Sequence, residues 1–436
     1  MQKRTQHAIV VGAGFAGLLA ARVLSERYDR VTLVERDRIE TGTAHRSGVP
    51  QAHHPHALLA RGAQVLEGLF PGLRAELGEA GAVVADVGSE FMSRAPRGWA
   101  PRDEIGLLVQ SVTRITLEQA VRRRVLALPQ VSIVDGVQVD ELVTSGDRVV
   151  GVSGRHRATK TSFEAHADLV VVASGRTSRL VDWLKAIDVH CPPRMEVDGH
   201  LAYTSRLYHV NDALNFDWVT IYEITHAPET KRGGAVSTVD GRRWFVTLFG
   251  AGGDVAPTDE AGFIEYAGTL ECREVADVVK NAEPASPIYR FANLGSSWNR
   301  FDKVRNWPRG LIALGDTVCT MNPVYGHGMT LAALGADILR RTLDKQRFER
   351  RFQRRLARVV GVPWLTATVT DLGWSDEKLS LPVRLQLWYG RRLFDVVPGN
   401  AHVYRRFIRV SQMVDHPATL FHPSVVATVV RGLFSR

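Results

Sequence analysis

The sequence predicts an α/β protein in which a Rossmann-type dinucleotide-binding domain carries an inserted antiparallel sheet and a helical C-terminal region. Three observations predict it. A short apolar run over residues 8–11 enters the glycine turn Gly12-x-Gly14-x-x-Gly17, which opens a helical segment. Residues 169–173 and 311–314 are further apolar runs of the buried-strand type, the first ending at Ser174-Gly175 and the second at Gly315. Between about 198 and 300 the texture changes to alternation, in 203–210, 218–224 and 243–249, as in an antiparallel sheet with one covered face.

Taken in order, strand 8–11, turn 12–17, helix 18–27 and strand 31–35 form one β-α-β unit. Residues 40–56 are loop-like, rich in Gly, Pro and His, and a helix over 56–70 stops at Pro71-Gly72. A helix over 113–128 places Arg114, Glu118 and Arg122 to Arg124 on its polar face. Segments 131–134, 137–143 and 148–152 read as consecutive strands, 328–342 as a helix, and the tail 345–436 as helical and basic. The dinucleotide domain is expected over 1–80, 105–180 and 301–345, a substrate domain over 81–104 and 181–300, and the helical region over 346–436.

The bulk numbers narrow the class. With 436 residues, 45% hydrophobic and 23% charged, the chain suits an ordinary globular protein of two or three domains. Its formal charge of +9 comes without zinc-finger spacing or an aromatic RNA-binding box, so an anionic cofactor or a membrane surface explains it better than nucleic acid. The three cysteines, Cys191, Cys272 and Cys319, lie far apart and form no CxxC pair, which fits a reducing cytoplasm. The apolar stretch 8–21 contains three glycines and leads into a strand pattern, so it reads as the turn of a fold and not as a signal peptide.

The first glycine turn has a mechanical reading. Gly12 permits the tight turn, Gly14 lets backbone approach a pyrophosphate, and Gly17 lets helix and strand pack closely. The helix N-terminus then offers unpaired N–H groups to phosphate. Glu35, 18 residues beyond Gly17, suits a ribose diol and disfavours a 2′-phosphate, which leaves FAD or NAD. A second segment favours FAD. Gly310 to Asp316 is a buried strand delivering an aspartate suited to a ribityl hydroxyl, and Asn322-Pro323-Val324-Tyr325-Gly326-His327-Gly328-Met329-Thr330 opens another helix. That helix would aim its positive end at the N1–C2=O edge of a flavin, an effect of roughly 0.3–1 kcal/mol.

On these residues the sequence resembles the FAD-dependent monooxygenases related to the aromatic hydroxylases, the group A flavoprotein monooxygenases. Within them it looks closest to the bacterial branch that epoxidises polyenes. The resemblance is carried by Gly48-Val49-Pro50-Gln51, His54-x-His56-x-Leu58-Leu59, Arg114 and its helix, Ser174-Gly175-Arg176-x-Ser178, Phe249 through Pro257, and Asn322 to Thr330. It covers most of the chain to about residue 340 and fades in the tail. It implies a glutathione-reductase-like FAD domain. Gly12, Gly14, Phe15, Ala16 and Gly17 would hold the pyrophosphate, Glu35 the adenosine ribose, and Arg36 and Val139 the adenine. Arg46 and Arg114 match arginines facing the phosphates or ribityl chain; Asp316 would hold the ribityl, and Pro323, Gly326, His327, Gly328 and Met329 would line the isoalloxazine. Two departures stand out. Ser174-Gly175 replaces an Asp-Gly pair, and Gly326-His327-Gly328 replaces Gly-Gln-Gly.

The resemblance implies insertion of one oxygen atom from O2 into a lipophilic substrate through a flavin C4a-hydroperoxide, as an epoxidation or hydroxylation in secondary metabolism. NAD(P)H, or reduced flavin from a partner reductase, would supply electrons. The oxidising power belongs to the cofactor, so no catalytic side chain and no metal is required. His53, His54 and His56 flank Pro55 without ligand spacing and are read as part of a loop closing over the cofactor, with a metal site as the alternative. His327 is read either as a proton relay titrating near neutrality or as a plain loop residue. Tyr203, Trp218, Tyr222, Trp244, Phe245 and Phe249 are candidate pocket walls, although most such aromatics are core. The Arg-rich stretch 340–358 reads as a solvated helix face, with a membrane-surface helix as the sharper idea. Competing functions are a flavin halogenase, for which the Trp-x-Trp-x-Ile-Pro stretch is absent, a prenyl-chain reductase, and a non-catalytic FAD-binding protein.

Overall fold

Five parallel strands build the first layer, in the order Leu311–Ala313, Leu169–Val172, His7–Val11, Arg30–Val34 and Val131–Val134. The structure is a computed structural model, and it describes residues 5–39, 58–292, 294–375 and 378–434. Strands His7–Val11 and Leu169–Val172 are buried at every position, which is why they carry unbroken apolar runs without alternation. Helices Phe15–Leu24, Arg114–Leu126 and His327–Thr342 cover the sheet, the first packing against both others. An antiparallel meander, Val137–Ser145, Arg148–His156 and Ser162–His166, joins the same core through Val149 and Val152. Val131–Val134 does not run on into that meander. It closes the edge of the parallel sheet beside Arg30–Val34.

The second layer is a seven-stranded sheet in the order Tyr289–Phe291, Ala202–His209, Arg243–Gly250, Arg232–Val239, Thr220–Glu223, Phe91–Ala95 and Gly98–Trp99. Its pairs are antiparallel apart from Thr220–Glu223 with Phe91–Ala95. One face is covered by helices Glu260–Gly268 and Arg273–Asn281, with Tyr208, Trp218, Trp244, Val246 and Leu248 in the core between them. Strand Arg232–Val239 escapes a reading by propensity because Gly233 and Gly234 interrupt it. Both glycines have packing causes: a Cβ on Gly233 would lie 2.5 Å from the Phe249 ring, and one on Gly234 would lie 2.5 Å from Leu270.

The tail is helical. Helix Phe348–Leu372 docks on the first layer through Phe352, Leu356, Val360 and Trp364, and Gln353 donates to the Ala313 carbonyl at 3.1 Å. Leu381–Val396, Ala401–Ser411 and Pro423–Gly432 share a smaller core with Val87 and Val109. Among the described residues no helix is long and apolar enough to cross a membrane.

Candidate functional site

Two of the three fingerprint glycines, Gly12 and Gly17, are required by geometry. Gly12 has φ +100°, and a Cβ there would lie 2.5 Å from the Ala173 carbonyl oxygen, so the turn presses on the neighbouring strand end. A Cβ on Gly17 would meet the Gly12 carbonyl oxygen at 1.9 Å. Gly14 differs. It caps helix Phe15–Leu24 with no side-chain hydrogen bond, and a Cβ there would touch nothing within 4 Å. The helix N-terminus thus has no side-chain cap and open space at Gly14, the arrangement an anion needs. Phe15 is buried in the core behind the turn, and Ala16 is half-buried beside it.

Glu35 is buried, and its carboxylate accepts from the Ala13 N–H at 2.7 Å and the Asp37 N–H at 3.1 Å. It thus holds the glycine turn in place, a task that the sequence reading, which considered only a ribose, did not assign. The Glu35 carbonyl accepts from the Val137 N–H at 2.9 Å, which brings the strand of buried Val139 alongside. Arg36 stands apart, with its side chain 43% exposed and 3.9 Å from Asp37.

The second turn meets the first. Gly315 has φ +66°, and a Cβ on it would lie 2.6 Å from the Cβ of Ala16. Asp316 follows at the carboxyl end of strand Leu311–Ala313. Burial raises its pKa, while Arg114 and Arg176 pull it down, so two guanidinium groups face this carboxylate. Arg114 also reaches Glu118 at 3.3 Å, and Arg122 shares that carboxylate at 2.6 Å. Thr113 caps the helix, accepting from the Thr116 N–H.

Beyond Asp316, Asn322 accepts from the Val324 N–H at 3.2 Å and starts the single turn Pro323–Tyr325. Gly326, at φ +68°, is the N-cap of helix His327–Thr342 and again lacks a side-chain cap. A Cβ on Gly328 would meet nothing within 4 Å. Met329 is buried. His327 is buried too, its ring 6.1 Å from Tyr325 at 24°, and its Nδ1 has no partner among the described residues. Burial drives its pKa down to about 4, so the reading of a relay titrating near neutrality is corrected: the imidazole is neutral at physiological pH. Arg46, the Gly48 to Gln51 stretch, His53, His54 and His56 lie outside the described residues.

The six aromatic candidates separate by their place in the sheet. Tyr203 pairs in register with Phe249, and with Leu201 and Leu294 they form an apolar cluster against which Val324 packs. The next rungs on that face are Ser205 with Thr247, hydrogen-bonded at 2.9 Å, and Leu207 with Phe245. Trp218 and Trp244 face the covering helices and are core. Tyr222 lies next to Ser93.

Sequence reasoning missed Asp371. It is fully buried near the end of helix Phe348–Leu372, accepting from Tyr325 Oη at 2.8 Å and Asn322 Nδ2 at 3.2 Å. Its Oδ2 has no hydrogen-bond partner among the described residues, and burial raises its pKa to about 6. The available signal was position: Asp371 is the lone charge between Arg358 and Asp376. Among the described residues, no group of three or more His, Cys, Asp or Glu is placed to hold a metal.

The arrangement fits FAD. Two uncapped helix N-termini rise from glycine turns with open space beside Gly14 and Gly328, and Asp316 lies at the turn that touches Ala16. The family model described as FAD dependent oxidoreductase matches residues 7–105. Protein Rv3254 of Mycobacterium tuberculosis (strain ATCC 25618 / H37Rv) is 35% identical over 350 residues, 77% of this chain and 73% of that protein. Squalene monooxygenase of Mus musculus is 30% identical over 177 residues, 39% of this chain and 29% of that enzyme. The solved structure of p-nitrophenol 4-monooxygenase PnpA from Pseudomonas putida DLL-E4 shares the fold at a TM-score of 0.64 and 15% identity, over 94% of this chain and 98% of that one. Flavin-dependent halogenases share the fold as well. The chain thus belongs to the family of Protein Rv3254 and is an FAD-dependent oxidoreductase.

Proposed function

We propose that this protein is a monooxygenase that transfers one oxygen atom from O2 to a lipophilic organic substrate, by epoxidation of an alkene or by hydroxylation. The observation that carries this reading is the apolar cluster of Tyr203, Phe249, Leu201 and Leu294 packed directly on Val324 of the second glycine loop. A greasy wall beside the flavin loop suits an uncharged substrate and keeps water from the reacting atoms. Similarity to squalene monooxygenase supports the same direction.

The residues divide the work. The N–H groups after Gly14 would take the pyrophosphate, Asp316 the ribityl hydroxyls with Arg114 beside it, and Glu35 the adenosine ribose. The backbone from Pro323 to Met329 would border the ring, where the positive end of helix His327–Thr342 favours negative charge on the pyrimidine edge. Neutral His327 can donate or accept one hydrogen bond there but adds no charge. The chemistry that bound FAD supplies is activation of O2 once electrons arrive from NAD(P)H or from a partner reductase.

The test is to purify the chain, record its visible spectrum, and measure O2 uptake with a lipophilic alkene or arene under a reductant. Product heavier by one oxygen atom is the expected outcome. Product gaining two hydrogens or a halogen overturns the proposal in favour of a reductase or halogenase. A protein that takes up no FAD overturns it at the root.

A further inference from the structure

Helix Phe348–Leu372 has a second face that the oxidoreductase reading does not use. Phe352, Leu356 and Val360 point into the core, and the opposite side of its first three turns carries Arg350, Arg351, Arg354, Arg355 and Arg358, with Arg347 at the N-cap. The spacing of three and four residues stacks these like charges on one another. Those in the first turn also oppose the positive end of the helix dipole. Arg305 and Arg309 face them across a groove of about 570 Å³.

Elsewhere on the molecule arginines are tied to carboxylates, as Arg22 is to Glu26, Arg300 to Asp302 and Arg409 to Asp415. None of these eight arginines has a carboxylate within 4.0 Å among the described residues. The two acids lining the groove do not neutralise it. Glu349 is buried and accepts from the Gly310 N–H at 2.8 Å, and Asp147 is a single exposed carboxylate against eight guanidinium groups. Such a face loses stability to self-repulsion unless an anion occupies it. Guanidinium forks are matched in shape and charge to phosphate oxygens.

We propose that this groove is a binding site for phosphate groups, separate from the dinucleotide crevice. The separation follows from the strand between them. Arg309 precedes Leu311–Ala313 at its amino end, while Gly315 and Asp316 follow its carboxyl end. A ligand bound in the groove would lie at the opposite end of this strand from Gly315 and Asp316. The phosphates belong either to the headgroups of an anionic membrane or to a soluble polyphosphate.

The experiment uses the full-length flavoprotein and a variant carrying Arg350→Gln, Arg351→Gln, Arg354→Gln and Arg358→Gln. All four positions are exposed, so the fold and the flavin spectrum are retained. One arm is flotation with phosphatidylglycerol-containing vesicles against phosphatidylcholine alone; the other is thermal unfolding with pyrophosphate. The unmodified chain binds at least one probe. Each charge removed lowers vesicle affinity by about five-fold, so the variant loses roughly two orders of magnitude or more. Its melting temperature without ligand rises, because repulsion has been relieved. Vesicle binding identifies headgroups as the source, and a response to pyrophosphate alone identifies a soluble ligand. Binding of neither probe, or equal binding by chain and variant, overturns the proposal.

Discussion

Gly14 and Gly17 stand three residues apart and answer to different demands. A methyl group on Gly17 collides with the Gly12 carbonyl at 1.9 Å, whereas one on Gly14 enters open space. Gly17→Ala is therefore expected to destabilise the fold by about 3 kcal/mol or more, read by chemical denaturation. Gly14→Ala should leave the flavin-free fold intact and weaken FAD binding by roughly ten-fold or more, as a misplaced phosphate contact costs about 1.4 kcal/mol or above. Equal FAD affinity of Gly14→Ala and the parent would remove the pyrophosphate from this notch. Asp371 makes a prediction of another kind. Its carboxyl is raised from 3.8 to about 6, so the native state binds more protons than the unfolded chain in that window. Stability from this group is complete below the lower value and falls as pH rises through the upper one. The loss reaches on the order of 3 kcal/mol above the window. Asp371→Asn keeps an acceptor for Tyr325 and cannot ionise, so its stability should be flat across the range where the parent declines. A denaturation series through that range checks this, and identical slopes would reject it.

At the level of elements, a buried carboxylate helps to join the two layers. Asp240, in the turn between strands Arg232–Val239 and Arg243–Gly250, accepts from the Thr113 N–H at 2.5 Å, Thr116 Oγ1 at 2.9 Å and Arg243 at 3.0 Å. It ties the seven-stranded sheet to the start of the helix bearing Arg114. Asp240→Ala leaves those donors unpaired and should cost about 3 kcal/mol. It should also raise the Kd for FAD, because the start of the helix bearing Arg114 loses its anchor; titration with FAD measures that. Elements differed in how openly the sequence showed them. Strands His7–Val11 and Leu311–Ala313 were legible because burial on both faces demands continuous apolar residues. Ser162–His166 was not, since an edge strand with alternate residues exposed needs only Phe163 and Ala165. Arg232–Val239 was hidden by glycines that exist for Phe249 and Leu270, which are distant in sequence.

For the whole molecule, a ligand that binds only the folded state stabilises it by mass action. FAD at one hundred times its dissociation constant should add about 2.7 kcal/mol, visible as a rise in Tm that Gly14→Ala reduces. No rise in the parent chain would mean that the two glycine turns do not share one cofactor. The gain should extend to the C-terminal helices, because Asp371 of helix Phe348–Leu372 holds Asn322 and Tyr325 at the second glycine turn. If limited proteolysis of the tail is unaffected by FAD, that coupling is absent.

Local geometry explains which features the sequence determined by itself. A glycine turn between buried strand and helix, and an acid after the next strand, are short-range patterns whose steric and electrostatic causes lie within one β-α-β unit. Hence the turn at Gly12, Gly14 and Gly17 and the strand ends that carry Glu35 and Asp316 could be located from their neighbours alone. Only the tertiary structure decided that Gly315 meets Ala16, that Tyr203 and Phe249 face Val324 while Trp218 and Trp244 do not, and that burial leaves His327 neutral. Those outcomes depend on strand register and on desolvation by residues far along the chain. Asp371 shows the same division: its charge is plain in the sequence, but its burial against Tyr325 exists only once the helical tail has docked.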